Sequence, residues 1–396
     1  MTTSRRDFVR YSVAAGAAVA LGSFPVARGA DALKTSSGKG LRILILGGTG
    51  FLGPAVVEAA RARGHTLTLF NRGRTDKRKE ELYGEPIFPD IEKIYGNRDP
   101  DKHAVDDDPA SPKGLVGLEG DRTWDAVVDT SGYYPRIVGA SAQLLKDRVK
   151  HYTFISSVSV YRDNATPGGD ETREVGTIPD PTVEEMGADF SNYGPLKALC
   201  EQAAEAAMPG RVANIRPGFI VGRWDPSDRF TYWPVRVDKG GEVLAPGTPD
   251  DPIQIIDVRD LGEWIIHCIE HNVTGLYNAL GPATPLKWGD VLNACQAAAA
   301  NPSTLTWVDH EFLAQNGLPP GSLPIWIPPT GEMAGFHRWN CDKSVAAGLK
   351  FRSITNTVND TIAWWRALPE SRRNARMRAG IEQEQEAAVL AKWKER

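Results

Sequence analysis

Cysteine is scarce and scattered in this sequence. The 396 residues include four, Cys200, Cys268, Cys295 and Cys341, none at the spacing of metal ligands. That excludes a zinc ribbon or a dense disulfide framework and leaves buried free thiols as the expectation. His267 and His271 stand four apart on an expected helix without an acidic or cysteine partner at a telling distance. They read as surface or packing residues, and no metal site is expected. A long basic run is also missing: 46 Lys and Arg face 50 Asp and Glu, for a net charge of −4. Residues 1–30 hold Arg5, Arg6, Arg10 and Arg28 against Asp7, a net +3, so the remainder carries −7. An acidic body argues against nucleic acid or an anionic membrane as the main partner. Internal repeats and low-complexity tracts are absent. What remains, 41% hydrophobic and 24% charged, is the composition of a soluble enzyme with one large core or two smaller ones.

The first thirty residues stand apart. Ser4-Arg5-Arg6-Asp7-Phe8-Val9-Arg10 resembles a twin-arginine export signal, and the apolar block 11–26 behind it is too short and too rich in Ala and Gly to span a membrane stably. Cleavage is expected near residues 27–30, with 31–40 as a polar linker. The resemblance implies export of the folded protein, commonly with cofactor already bound, to a periplasmic or other extracytoplasmic space. No stable membrane insertion is expected after cleavage.

The fold is organised around residues 41–53, LRILILGGTGFLG. An aliphatic run, expected to be a fully buried parallel strand, breaks into Gly47, Gly50 and Gly53. Glycines at that spacing allow a tight turn, close approach to a ligand and close packing of the next helix, whose free N–H groups and dipole suit a pyrophosphate. Gly47, Gly50, Phe51, Leu52 and Gly53 are therefore expected to bind a dinucleotide. A second strand at 65–70 ends in Asn71-Arg72-Gly73-Arg74. Where an aspartate would favour NAD, Asn71 can still bond a hydroxyl and Arg72 or Arg74 can pair with a 2′-phosphate, so the local chemistry leans to NADP without deciding between the two. Further strands are expected at 91–95, with Asn97 near the adenine, at 124–129, with Thr130 at the cofactor edge, and at 151–157; a helix is expected at 136–148. Strands alternating with helices at this interval indicate an α/β fold with a Rossmann-type doubly wound parallel sheet.

The chemistry is carried by Ser156-Ser157-Val158-Ser159-Val160-Tyr161 and, some thirty residues on, Tyr193-Gly194-Pro195-Leu196-Lys197. Tyr193 and Lys197 share one helix face. An ammonium beside a phenol stabilises the phenolate, and such a phenol can exchange a proton with a substrate oxygen.

With these residues the chain resembles the extended short-chain dehydrogenase/reductase family, in its NAD-dependent epimerase/dehydratase branch. GGTGFLG (47–53), SSVSVY (156–161), YGPLK (193–197), RPGFIVG (216–222) and DVRDL (257–261) carry the resemblance. It implies Tyr193 as general acid/base, Lys197 as its tuner and a binder of the nicotinamide ribose, and Ser157 as the catalytic hydroxyl, with Ser159 in a secondary role. Pro217 and Gly218 would pass the nicotinamide, and Arg259 and Asp260 are assigned to structural ion pairing. A homodimer is implied by family analogy alone. GGTGFLG followed by LFNRG is also similar to the branch containing chloroplast stem-loop-binding proteins.

The expected domains are 41–223 for the dinucleotide, with 254–281 returning to it, a smaller substrate domain over most of 224–366, and a helical tail at 367–396 whose charged end, 382–396, is expected to be a solvated helix. Arg229, Tyr232, Trp233 and Arg236 are candidates for stacking on a sugar or clamping a phosphate, or else for a cap over the core. Trp326, in the Pro-rich stretch 318–330, is a candidate lid contact. The leading functional expectation is a sugar epimerase or dehydratase with retained NAD or NADP, because a redox-neutral cycle suits a compartment without cofactor supply. An NADP-dependent ketone or aldehyde reductase and a non-catalytic binding protein are the alternatives.

Overall fold

The computed structural model describes residues 40–396 apart from 85, 106 and 107, so the twin-arginine segment and nearly all of the linker lie outside the described residues. The aliphatic run forms β1 (Arg42–Leu46), whose Ile43, Leu44, Ile45 and Leu46 are fully buried. Burial on both faces belongs to an interior parallel strand. Following it come β2 (Thr66–Asn71), β3 (Glu92–Tyr95), β4 (Ala126–Asp129), β5 (His151–Ile155) and β6 (Val212–Pro217). After these lie β7 (Phe219–Val221), β8 (Gly241–Pro246), β9 (Pro252–Asp257), β10 (Gly275–Ala279), β11 (Gly281–Lys287) and β12 (Ser303–Val308).

Seven strands form one parallel sheet of order β10-β6-β5-β4-β1-β2-β3. Leu46, at the end of β1, stands opposite Phe70 on one side and Asp129 on the other. The order reverses at this point, and the diverging crossovers open a crevice at the carboxyl ends of the strands, where open α/β sheets bind ligands. Helices α1 (Leu52–Ala62), α2 (Arg74–Tyr83), α3 (Pro135–Leu145), α4 (Tyr193–Ala207), α5 (Tyr232–Asp238), α6 (Val258–Glu270) and α7 (Trp288–Ala298) follow in chain order. α1 packs with α6 on one face of the sheet and α3 with α4 on the other. The α1–α6 approach is close enough that a Cβ at Gly262 would lie 2.8 Å from the Ala55 backbone. Arg259 and Asp260, at the start of α6, are both structural: Arg259 pairs with Asp257 and Asp360, Asp260 with Arg352.

The smaller unit has its own core. β7, β9 and β11 form a three-stranded sheet and β8 pairs parallel with β12. Trp233 meets Trp288 edge-on at 4.8 Å among Phe230, Tyr232, Val291 and Leu292. Four sequence expectations change here. β9 lies in the small sheet, so the return to the large sheet begins at α6 and ends with β10. Tyr232, Trp233 and Arg236 are buried in this core instead of lining the cleft: the Trp233 indole N–H donates to the Pro324 carbonyl, and Arg236 is paired with buried Glu386. The expected tail is integrated, since helix Gln383–Lys394 buries Glu386, Val389 and Leu390 against β8 and α5. Trp326, too, is core: its indole N–H donates to Asp251, while its neighbours Ile327 and Pro328 reach the cleft.

All four cysteines are buried free thiols. Among the described residues no helix is long and apolar enough to cross a membrane, and no three His, Cys, Asp or Glu gather as a metal site.

Candidate active site

One cleft of about 2400 Å³ runs along the carboxyl ends of the large sheet and continues between the two units. An ordinary small-molecule pocket is about 300–1,000 Å³, so there is room for a dinucleotide and a second molecule. Gly47, with φ +96°, turns the chain out of β1. A Cβ at Gly53 would stand 2.3 Å from the Gly48 carbonyl carbon, so the start of α1 packs against the turn only as glycine. Gly53 thus serves helix packing, while Gly47, Gly50, Phe51 and Leu52 line the cleft. No side chain caps the N-terminus of α1, and a Cβ at Gly50 would meet only the Gly47 carbonyl at 3.8 Å. The first-turn N–H groups are therefore open toward an anion.

At the end of β2, Asn71 is buried with its Nδ2 unpartnered, and it lines the cleft beside exposed Arg72, Arg74 and Arg78. A buried amide N–H₂ without an acceptor is costly unless a ligand supplies one. These observations fit a dinucleotide: pyrophosphate at the α1 N-terminus, adenosine ribose at Asn71. Asn97 is placed differently from expectation. Its side chain turns inward, donating to the His103 carbonyl and accepting from the Asp99 N–H, and its neighbours Gly96 and Arg98 face the cleft instead. Arg98 grips buried Asp129 through two bonds of 2.6 and 2.7 Å, and Tyr152 donates to the same carboxylate, which stiffens the end of β4. Thr130, just beyond, donates to the carbonyls of Leu46 and Gly47 and lines the cleft.

Lys79 was not foreseen. From α2 it reaches over the glycine turn, donating to the Gly50 carbonyl at 3.0 Å and lying 4.0 Å from the Trp224 ring centroid. Burial first of all, then the nearby Arg78, pushes its ammonium down to about 7, with Asp76 and Glu58 opposing. A single lysine among several exposed ones carries no signal in the sequence; only the approach of the 224 segment, where Trp224 has φ +71°, distinguishes it.

Further along the cleft the structure gathers Ser157, Tyr193 and Lys197, with Ser159, Pro217 and Gly218 also on its wall. β5 ends at Ile155 and delivers Ser157, whose Oγ accepts from the Ser159 N–H. Tyr193 is the first residue of α4, where the helix dipole favours a phenolate. Burial raises its phenol above the usual value, as does Tyr133, whose ring centroid is 6.4 Å away; a hydrogen bond from Ser157 and the positive field of Arg229 lower it. Lys197 is buried one turn on. Its ammonium donates to the carbonyls of Gly132 and Ile155 at 2.8 and 2.5 Å and lies 4.3 Å from the Phe154 ring centroid, and burial pushes it down to about 8. Lys197 is pinned in this way, and Arg229, a candidate for substrate contact, is a cation whose field lowers the Tyr193 phenol.

The approach of α4 to Ser157 depends on a glycine that sequence reasoning passed over. A Cβ at Gly194 would stand 1.9 Å from the Ser159 carbonyl oxygen.

Comparison with known proteins agrees with this architecture. The sequence profile of the NAD dependent epimerase/dehydratase family matches residues 43–279. The epimerase family protein SDR39U1 of Bos taurus is 24% identical over 288 residues, covering 66% of this chain and 82% of that protein. Human SDR39U1 (isoform 2), solved with NADPH, superposes with a TM-score of 0.52 at 20% identity, over 82% of this chain and 99% of that one. The Bordetella bronchiseptica enzyme WbmH, solved with NAD+, gives 0.58 at 16% identity, over 83% and 99%. With its glycine turn, parallel sheet and NAD(P) cleft, the chain belongs to the NAD-dependent epimerase/dehydratase family.

Proposed function

We propose that the protein is an NAD(P)-dependent sugar epimerase or dehydratase that keeps its cofactor bound through the catalytic cycle. The observation that carries this reading is the convergence of Ser157, Tyr193 and Lys197 on one cleft, with the Ser157 hydroxyl bonded to the Tyr193 phenol. The nucleotide, when bound, accepts a hydride from a substrate carbon and can return it. Tyr193 Oη takes the proton of the substrate hydroxyl and later restores it, and Ser157 Oγ holds the same substrate oxygen. Lys197 is anchored to two carbonyls with its third N–H direction available to a ribose hydroxyl. Retention of the nucleotide rests on the twin-arginine pattern of residues 4–10, and a closed redox cycle is the chemistry that such a compartment supports.

Purifying the full-length protein without added nucleotide, denaturing it and weighing what is released tests the reading. Stoichiometric NAD or NADP is expected. An empty protein that steadily consumes added NADPH would replace it with the reductase reading, which Arg72, Arg74 and Arg78 beside the adenosine end favour. Tyr193→Phe is expected to retain the nucleotide and lose turnover by about 10²–10⁴-fold; unchanged turnover would remove Tyr193 from the site.

A further inference from the structure

The two ends of the cleft differ in charge. At the cofactor end, Arg72, Arg74, Arg78 and Lys79 face one carboxylate, Asp76. At the other end, built by the loop after β5, the 224–229 segment and the 319–336 loop, the balance reverses. Asp163, Glu174, Asp189, Asp225 and Glu332 line it against Arg162, Arg229 and Lys197. Arg162 is bound to Glu174 at 2.8 Å, and Asp163 to Arg173. Arg229 is stacked on Phe219 at 5.0 Å, and its positive field acts on both the Tyr193 phenol and the Asp225 carboxyl, so its charge is already engaged. A diphosphate brings at least two negative charges and is ordinarily met by several Arg or Lys side chains or by free helix N–H groups. Here it would enter a field of the same sign.

The rest of the lining is neutral and suited to hydroxyls. Asn164, Asn192 and Thr177 supply donors and acceptors without charge, and Phe190, Phe219 and Phe336 supply ring surface. Asp225 is the informative residue. It is 3% exposed, its Oδ1 accepts from the Ser227 N–H and hydroxyl, and its Oδ2 has no partner although the residue lines the cleft. A buried carboxylate oxygen left over in this way awaits a donor, and a carboxylate cannot donate to a phosphate.

Resting on the epimerase reading of the same site, we infer that the substrate is an unphosphorylated, uncharged sugar or glycoside, and not a nucleotide-diphosphate sugar, with Asp225 Oδ2 accepting from one of its hydroxyls. The test uses full-length protein with its nucleotide in place. Unphosphorylated aldoses and methyl glycosides are added at millimolar concentration, in parallel with UDP-glucose and dTDP-glucose, and bound reduced nucleotide is followed at 340 nm. Binding of UDP alone is measured by calorimetry. The expected result is a 340 nm signal from at least one unphosphorylated sugar, none from the nucleotide sugars, and no UDP binding at 1 mM. Asp225→Asn should then raise KM for the active sugar at least tenfold and leave the nucleotide content unchanged.

Micromolar UDP binding, or a signal confined to nucleotide sugars, overturns the inference and leaves the epimerase reading standing. Silence from every unphosphorylated sugar also counts against it. Consumption of added NADPH with simple ketones, with neither sugar class reducing bound nucleotide, sinks the epimerase reading itself.

Discussion

Gly194→Ala removes nothing from the active site and adds one methyl group, yet it is expected to abolish most of the activity. The new Cβ would sit 1.9 Å from the Ser159 carbonyl oxygen, 2.9 Å from its carbon and 3.6 Å from the Val160 nitrogen, all main-chain atoms held by the turn that follows β5. An ordinary contact begins near 3.4 Å, so the N-terminus of α4 must back away by about 1.5 Å. That movement separates Tyr193 from Ser157, which approach each other across this same contact. Misplacement of a reacting group by about 1 Å costs on the order of 10²-fold in rate. The assay is single-turnover reduction of bound nucleotide by the active sugar, with nucleotide content and melting temperature measured alongside. Nucleotide content should hold, because the glycine turn lies on another crossover. Gly139→Ala is the matched control: in α3 its Cβ would meet the Ala203 Cβ at an ordinary 3.7 Å, and helix propensity predicts a gain of about 1 kcal/mol with unchanged turnover. Turnover of the Gly194 variant within threefold of the parent, at unchanged melting temperature, would refute the argument that helix approach positions the tyrosine.

Other perturbations probe other parts of the cleft. Arg229→Met should move the acid limb of the pH–rate profile upward, because Tyr193 must be a phenolate to take the substrate proton and loss of Arg229 raises its phenol; a superimposable profile would deny that coupling. Lys79→Met should speed nucleotide release at least tenfold, read from nicotinamide fluorescence after dilution, since Lys79 bridges the glycine turn to Trp224; an unchanged release rate would make that bridge ornamental to binding. Arg72→Ala with Arg74→Ala should weaken NADP binding tenfold or more and leave NAD binding within twofold, by competition titration of stripped protein; equal losses for both nucleotides would exclude a 2′-phosphate contact. Burial pushes His151 and His337 down to about 4 from the ordinary 6.5, so each is neutral in the fold and charged in the unfolded chain between those values. Stability from each is therefore full above pH 6.5 and falls by about 3 kcal/mol as pH drops to 4. Imidazole NMR titration should show both rings neutral down to about pH 4, and ordinary titration of either would refute its burial.

Much of the frame was legible because it is written locally. An unbroken aliphatic run ending in glycines can satisfy its burial and its turn in one way, and β1 with α1 follows. Tyr193 and Lys197 are readable because a four-residue interval means the same thing on any helix. What the Lys197 ammonium touches is not readable: two carbonyls from other crossovers, Gly132 and Ile155, claim it. Tyr232, Trp233 and Arg236 invited a binding role by their chemistry, but aromatic side chains beside a cation describe a small-unit core equally well, and burial against Trp288 and Glu386 decides it. Helix Gln383–Lys394 misled for the opposite reason. It offers few apolar residues, so Val389 and Leu390 look like accidents on a charged helix until Glu386 is seen to complete Arg236. Asp225 and Lys79 gain their meaning from neighbours distant in the chain and leave no local pattern.

The anchoring of the 224–238 segment has a consequence for the order in which the protein is made. Asp228, buried between the cleft-lining Ser227 and Arg229, is held by the Arg372 side chain and the Arg378 N–H, and Arg236 by Glu386, partners about 150 residues later in the chain. The glycine turn, Asn71 and the Ser157–Tyr193–Lys197 group are all synthesised before residue 198. During synthesis the residues that meet the nucleotide therefore emerge well before the fastenings of the substrate wall. The last thirty residues supply these fastenings, so the substrate wall is completed only when the end of this segment has been made.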